Sequence, residues 1–198
     1  MRKNKGFTLV ELLAVIVILA VIALIATPVV LSMIESSRKG AAESSMLAYT
    51  QATENTILTK MMNSSTSVNY DQKYSVIGLT LTTATEAEDG KVTANLPCLD
   101  AESKPVDLAD GKTSCEAGGY TDNPAYLAFN IDLKGDQPAE NDGNIIEVDN
   151  NTVVRAKLKF GKYYVSYFYS QEDGTTTYCS ADDAFITEIS VCREKSNN

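Results

Sequence analysis

The chain has 198 residues, 26 of them acidic and 17 basic, a formal charge of −9, and neither histidine nor tryptophan. The missing histidine removes the commonest general base and the commonest transition-metal ligand. Setting aside the three positive charges of Met1 to Gly6 takes the balance from −9 to −12, which disfavours nucleic acid as a partner. Enzymatic readings therefore start with a handicap, and the length fits one domain of modest size with an extension.

In chain order, residues 1–6 (MRKNKG) form a short basic leader carrying Arg2, Lys3 and Lys5. From Phe7 to Ile34 the only interruptions of an apolar run are Thr8, Glu11, Thr27, Pro28 and Ser32, and no polar side chain occurs from Leu12 to Ala26. Such a run is long enough to cross a bilayer, with the positive leader on the cytoplasmic side. Glu11 admits three readings. A cleaved secretory signal fits badly, because Leu24 stands two places before Ala26 and a charge lies inside the apolar segment. A plain uncleaved anchor would tolerate Glu11 as a residue that snorkels to the headgroups. The third reading is functional: a carboxylate in a membrane span costs about 2.5 to 3.5 kcal/mol on insertion scales and requires a partner charge. No lysine or arginine follows Glu11 until Arg38, so that partner must come from outside the segment.

The order Gly6, Phe7, Thr8, Leu9, Val10, Glu11, behind a basic leader and ahead of an unbroken apolar helix with Pro28, resembles the class III leader and N-terminal helix of type IV prepilins. The resemblance covers about the first 55 residues; beyond it the likeness to pilins is one of general plan. In that family a membrane-embedded aspartyl peptidase cuts after the glycine and methylates the new amino terminus. The resemblance implies cleavage between Gly6 and Phe7, N-methylation of Phe7, and Glu11 as the carboxylate of filament assembly. Taken alone, Gly6 would read as a flexible residue at a membrane boundary; between Lys5 and Phe7 it reads as the cleavage site. The implied partners are copies of the chain itself, a prepilin peptidase, a membrane platform protein, assembly ATPases, and the lipid bilayer before assembly. Cleavage creates an ammonium at Phe7 that hydrocarbon strongly disfavours unless it is paired. Glu11 lies one helical turn further on, placed to meet that amine on a neighbouring subunit.

Pro28 lacks an amide donor and clashes with the preceding turn, so a kink or local unwinding is expected around Ile25 to Pro28. Val29 to Met62 reads as continuing helix, with Met33, Ile34, Ala41, Met46, Leu47, Ile57, Leu58 and Met61 as its apolar positions and Gly40 as a weak point. Asn63 to Ser67 (NSSTS) is a stop. The remaining chain carries strand signals. Val153 to Lys159 alternates, with Val154, Ala156, Leu158 and Phe160 on one face and Arg155, Lys157 and Lys159 on the other. Gly161-Lys162 can turn the chain into Tyr163 to Ser170, and Thr175 to Cys179 completes a meander. One face of the aromatic Tyr163 to Tyr169 strand is expected in the core, leaving at most two or three rings free for contact. Further strands are expected at Tyr74 to Thr82, Tyr126 to Leu133, Asn144 to Asp149 and Ala184 to Cys192, with Asp-Gly turns at 89, 110, 142 and 173. The predicted class is α+β: a long N-terminal helix, membrane-spanning in its first half, whose second half packs on an antiparallel sheet. The divisions are leader 1–6, assembly half 7–34, amphipathic half 35–62 and globular head 63–198.

The cysteines at 98, 115, 179 and 192 show no CxxC spacing for zinc. Two disulfides in an exported head are the better reading. Three connectivities are open on paper, and pairs that close short loops, Cys98 with Cys115 and Cys179 with Cys192, are favoured. The last pair resembles the disulfide-bounded loop of many pilins, although the segment between them looks partly strand-like. Secretion pseudopilins, which the chain also resembles, can bind calcium, and Glu140, Asn141, Asp142, Asn144 and Glu147 supply oxygens. No Asp-Gly pair falls in the D-x-[DN]-x-[DN]-G frame, so solvated turns are expected there and no cofactor or metal is assigned. The functional reading is a structural subunit of a type IV pilus or pilus-like filament, held in the cytoplasmic membrane before assembly and at the cell surface afterwards. The alternatives are a type II secretion pseudopilin and a membrane-tethered adhesin or binding module with an uncleaved anchor.

Overall fold

The computed structural model describes residues 8–63, 68–108 and 111–196. The chain divides into two compact units, Met1–Ala41 and Ala42–Asn198. Helix α1, Leu9–Asn63, runs from the first into the second. In the first unit every large apolar side chain from Leu9 to Ile34 is exposed, between 43% and 79%. This stretch has no core of its own to bury itself in.

In the second unit α1 presents Ala42, Met46, Tyr49, Thr50, Thr53 and Ile57 as its buried face. Of the apolar positions read from the sequence only Met46 and Ile57 belong to it; Ala41, Leu58 and Met61 are exposed. The stripe is rotated toward tyrosine and threonine because their hydroxyls are satisfied where they lie. Tyr49 donates to the Gly78 carbonyl (2.7 Å), Thr53 to the Tyr49 carbonyl (2.9 Å) and Thr50 to the Leu47 carbonyl (3.0 Å). Burial pushes the Tyr49 phenol far up, so it stays a donor at any ordinary pH. Tyr49→Phe is expected to leave the Gly78 carbonyl without this donor and to cost about 1–2 kcal/mol. Thermal unfolding of the detergent-solubilised chain checks this, with a Tm lowered by roughly 2–8 °C.

The sheet on which this face packs is antiparallel throughout. Its strands are β1 Lys73–Ile77, β2 Thr80–Glu86, β3 Val92–Ala94, β7 Ala128–Asn130, β8 Ile145–Asp149, β9 Thr152–Phe160, β10 Tyr163–Tyr169 and β11 Thr176–Ala181. Their order is β11-β10-β9-β8-β1-β2, after which the outer edge of β2 is shared between β7 and β3. Tyr74, Val76, Leu81, Ile146, Val148, Ala156, Leu158, Phe160, Tyr163, Val165 and Tyr167 join the helix residues in one core. Between β3 and β7 the chain makes an excursion, a small sheet of β4 Cys98–Leu99, β5 Pro105–Val106 and β6 Thr121–Asp122. Thr83 ties it to β2: its hydroxyl donates to the Ala125 carbonyl (2.8 Å) and accepts the Leu127 amide (2.9 Å).

Several elements depart from expectation. Tyr74 to Thr82 is a hairpin rather than one strand, because Gly78 at φ 57° turns the chain. The β8–β9 turn is made by Asn150 and Asn151, both left-handed at φ 50° and 60°. A register shift between Glu147 and Val148 leaves Val154 without a ladder partner, so Val153, not Val154, enters the core. The Val153 amide is taken by the Glu54 carboxylate of α1 (2.9 Å). Ala184 to Cys192 is not a strand. It crosses the outer face of β10 and ends in helix α2, Ile189–Ser196. Ile186 and Ile189 pack on Phe168, Cys179 and Cys192, and Phe185 meets Tyr164 edge-on at 4.9 Å. Strand β10 is therefore covered on both faces, and its rings are packed rather than free.

Candidate functional site

The start of α1 is built from two side chains. Thr8, the residue before the helix, donates both its amide and its hydroxyl to Glu11 Oε2, each at 2.9 Å. The Glu11 amide returns a bond to Thr8 Oγ1 at 3.3 Å. This is a capping box: a threonine and a glutamate three residues on satisfy each other's free backbone donors at a helix N-terminus. The negative carboxylate also lies at the positive end of the helix macrodipole. The spacing Thr8-Leu9-Val10-Glu11 is the sequence signature of this box, and it gives Glu11 a partner within its own chain that the apolar run alone does not reveal. Gly6 and Phe7 lie outside the described residues.

From here α1 continues through Pro28 without a break, so the local unwinding expected at Ile25 to Pro28 is not seen. The Thr27 hydroxyl donates to the Ala23 carbonyl (2.7 Å), one turn back, beside the ladder position that proline leaves empty. The helix is long and apolar enough to cross a membrane.

In the second unit the sulfurs are joined as Cys98–Cys115 and Cys179–Cys192, and no described cysteine is free. The first bond staples the excursion; the second fixes α2 to β11. Of the five side chains weighed for calcium, Asn141, Asn144 and Glu147 are engaged within the fold. Asn144 Oδ1 accepts the Lys159 amide (3.0 Å) and its Nδ2 donates to the Ala139 carbonyl (2.8 Å). Asn141 Oδ1 accepts the Gly143 amide (2.9 Å), and Glu147 accepts Arg155 Nε (2.9 Å). Among the described residues no group of three or more carboxylates or thiolates is placed to hold a metal.

Sequence reasoning also missed an ion network on the sheet face turned away from α1. Glu86 of β2 contacts Arg155 and Lys157 of β9, and Lys73 of β1 at 3.3 Å. Glu147 of β8 contacts Arg155 at 2.9 Å. Lys157, on the charged face of the Val153 to Lys159 alternation, has a side chain only 2% exposed, and that of Glu86 is 10% exposed. Burial alone would push the Glu86 carboxyl up. Hydrogen bonds from Arg155 and Lys157, with their charges, outweigh it and hold the group at about 2. Every member is paired, so the cluster fixes sheet geometry and offers no idle acid or base.

Residues 1–27 match the family model described as the prokaryotic N-terminal methylation motif. Neither curated proteins nor solved structures match the chain. The motif, the long apolar helix and the antiparallel sheet packed on that helix's second half define a pilin-like, non-enzymatic structural protein. More particularly, its N-terminus carries the prepilin-like, cleavable N-methylation leader found on subunits of the pilus and pseudopilus class. That motif implies processing by a prepilin peptidase and handling by an assembly machinery. With the apolar helix it points to a membrane location followed by one in a pilus or the envelope.

Proposed function

We propose that this chain is the building block of a type IV pilus or a closely related filament, cleaved between Gly6 and Phe7, methylated on Phe7, and polymerised through the apolar half of α1. Residues 1–6 are then the leader, 7–34 the assembly segment, 35–62 the amphipathic half of the helix and 63–198 the head. The observation that carries the reading is a single carboxylate, Glu11, within Leu9 to Ile34, the stretch of α1 whose large apolar side chains stay exposed. Such a surface needs either lipid or other helices of its kind. In a staggered bundle the ammonium left at Phe7 of an incoming subunit meets Glu11 of one already in place, so that two charges costly to bury leave the lipid together. The pair would select axial register more than add raw stability. Pro28 is the place at which this reading puts a bend or stretch of the packed helix. A membrane platform protein and assembly ATPases supply the work, and the filament stands at the cell surface.

Mass spectrometry of the mature amino terminus tests the proposal. The expected species begins at a methylated Phe7, and Gly6→Val is expected to trap the longer precursor in the membrane. An intact Met1 on the chain at the cell surface would instead support a permanently tethered binding module. A mature chain that never enters filaments but supports protein export would support a secretion pseudopilin.

A further inference from the structure

Both hydrogen bonds that Thr8 gives to Glu11 end on the same oxygen, Oε2. An ionised carboxylate has two oxygens and about four acceptor positions. Among the described residues nothing is bonded to Oε1. The two Thr8 donors thus fix the carboxylate from one side and leave the other side open, on a helix terminus where a free carboxylate would otherwise rotate. The contact also survives processing as proposed. A cut between Gly6 and Phe7 leaves the Phe7–Thr8 peptide intact, so the Thr8 amide and hydroxyl are donors in precursor and mature chain alike.

We propose that Thr8 is the positioning residue for assembly: it anchors Glu11 through Oε2 and aims Oε1 at the amino terminus of the next subunit. The inference rests on the reading of Glu11 as the assembly carboxylate. Its physical basis is preorganisation: a charge already held in the bonding geometry loses less freedom when its partner arrives. It also explains how the subunit waits in lipid before polymerising. Two donors from its own chain solvate the carboxylate where water cannot, which lowers the cost of keeping it in the membrane.

The test is competitive incorporation in cells expressing the full-length wild-type chain and one variant. The share of each in sheared filaments is read by mass spectrometry and divided by its share of the processed membrane pool. That normalisation removes any effect of Thr8 on cleavage. Thr8→Val keeps shape and amide but loses the hydroxyl, and is expected to enter filaments about tenfold less than wild type, the scale of one hydrogen bond to a charged group. Thr8→Ser, which keeps the hydroxyl, is expected to compete at parity. In a Glu11→Gln background, Thr8→Val is expected to add little, since both act through one contact. Parity for Thr8→Val, or a full further loss in the Glu11→Gln background, would overturn the positioning role. If Glu11→Gln itself competed at parity, the assembly reading would fall and this inference with it. Exclusion of Glu11→Gln alongside parity for Thr8→Val would sink only the inference.

Discussion

Glu11→Ala is expected to yield a protein that is made, inserted and cleaved, yet leaves almost no filaments on the cell. The reasoning sets two roles of one side chain against each other. As the second member of the capping box with Thr8, Glu11 supports the helix start, and losing such a cap costs about 0.5–2 kcal/mol. As the counterion of a neighbour's amino terminus, it prevents a buried ammonium from standing alone, and breaking a buried pair costs about 3–5 kcal/mol. At 1.4 kcal/mol per factor of ten, the second loss lowers each addition step by roughly a hundredfold or more, and a polymer repeats that step at every subunit. Glu11→Gln separates the roles. Glutamine serves in a capping box as glutamate does, but it carries no charge. If charge pairing governs assembly, Glu11→Gln fails much as Glu11→Ala does. If capping governs it, Glu11→Gln assembles and only Glu11→Ala fails. Immunoblots of sheared and membrane fractions, with the mass of the mature amino terminus measured in each, read the outcome. Normal filament yield from Glu11→Ala would refute the assembly role altogether.

What could be read from the sequence follows the range of the interaction responsible. Local signals were legible. The apolar run up to Ile34, the alternation of Val153 to Lys159 and the aromatic strand beginning at Tyr163 each depend on neighbours a few residues away, and the structure contains the helix and both strands. The capping box was legible too, since Thr8 and Glu11 show the required spacing and its donors lie only three residues from the carboxylate. The Asn150-Asn151 turn belongs in the same group, because asparagine tolerates the left-handed region that a two-residue hairpin demands.

Other features depend on contacts that no window along the chain contains. The buried helix face includes Tyr49 because a carbonyl 29 residues away accepts its hydroxyl. Val153 replaces Val154 in the core because the bulge is set by pairing with β8, and its amide is accepted by Glu54, 99 residues back. The segment before Cys192 has strand-like composition. Once the disulfide to Cys179 and the apolar contacts with Phe168 hold it across β10, it lies over a face of the sheet rather than along an edge, and it ends as a helix. Propensity was overridden there by the surface on which the segment had to lie.

The ion network yields the second large effect, and its sign can be worked out at every pH. Glu86 stands 69 and 71 residues from Arg155, half-buried, and Lys157, buried, its partners across the sheet. Glu86→Gln leaves the Lys157 ammonium, only 2% exposed, facing a neutral amide, and is expected to destabilise the chain by about 3–5 kcal/mol at neutral pH. The double variant Glu86→Leu with Lys157→Met removes both charges and is expected to recover most of that loss, because the cost lies in the orphaned charge rather than in a large net value of the pair. Arg155 keeps Glu147 as its partner in either case. The Glu86 carboxyl sits at about 2 in the folded chain against 4.5 when free of the fold. A carboxyl lowered on folding contributes stability that is complete above its unfolded value and drains away as pH falls through the folded one. The wild-type advantage over Glu86→Gln is therefore expected to be full at pH 7, to begin shrinking near pH 4.5, and to lose on the order of 3 kcal/mol by the time Glu86 is protonated near pH 2. Thermal unfolding of both forms in the same detergent at pH 7, 4 and 2.5 reads that difference directly. A gap between their Tm values that stays constant across the series would show that Glu86 acts through shape and not through charge.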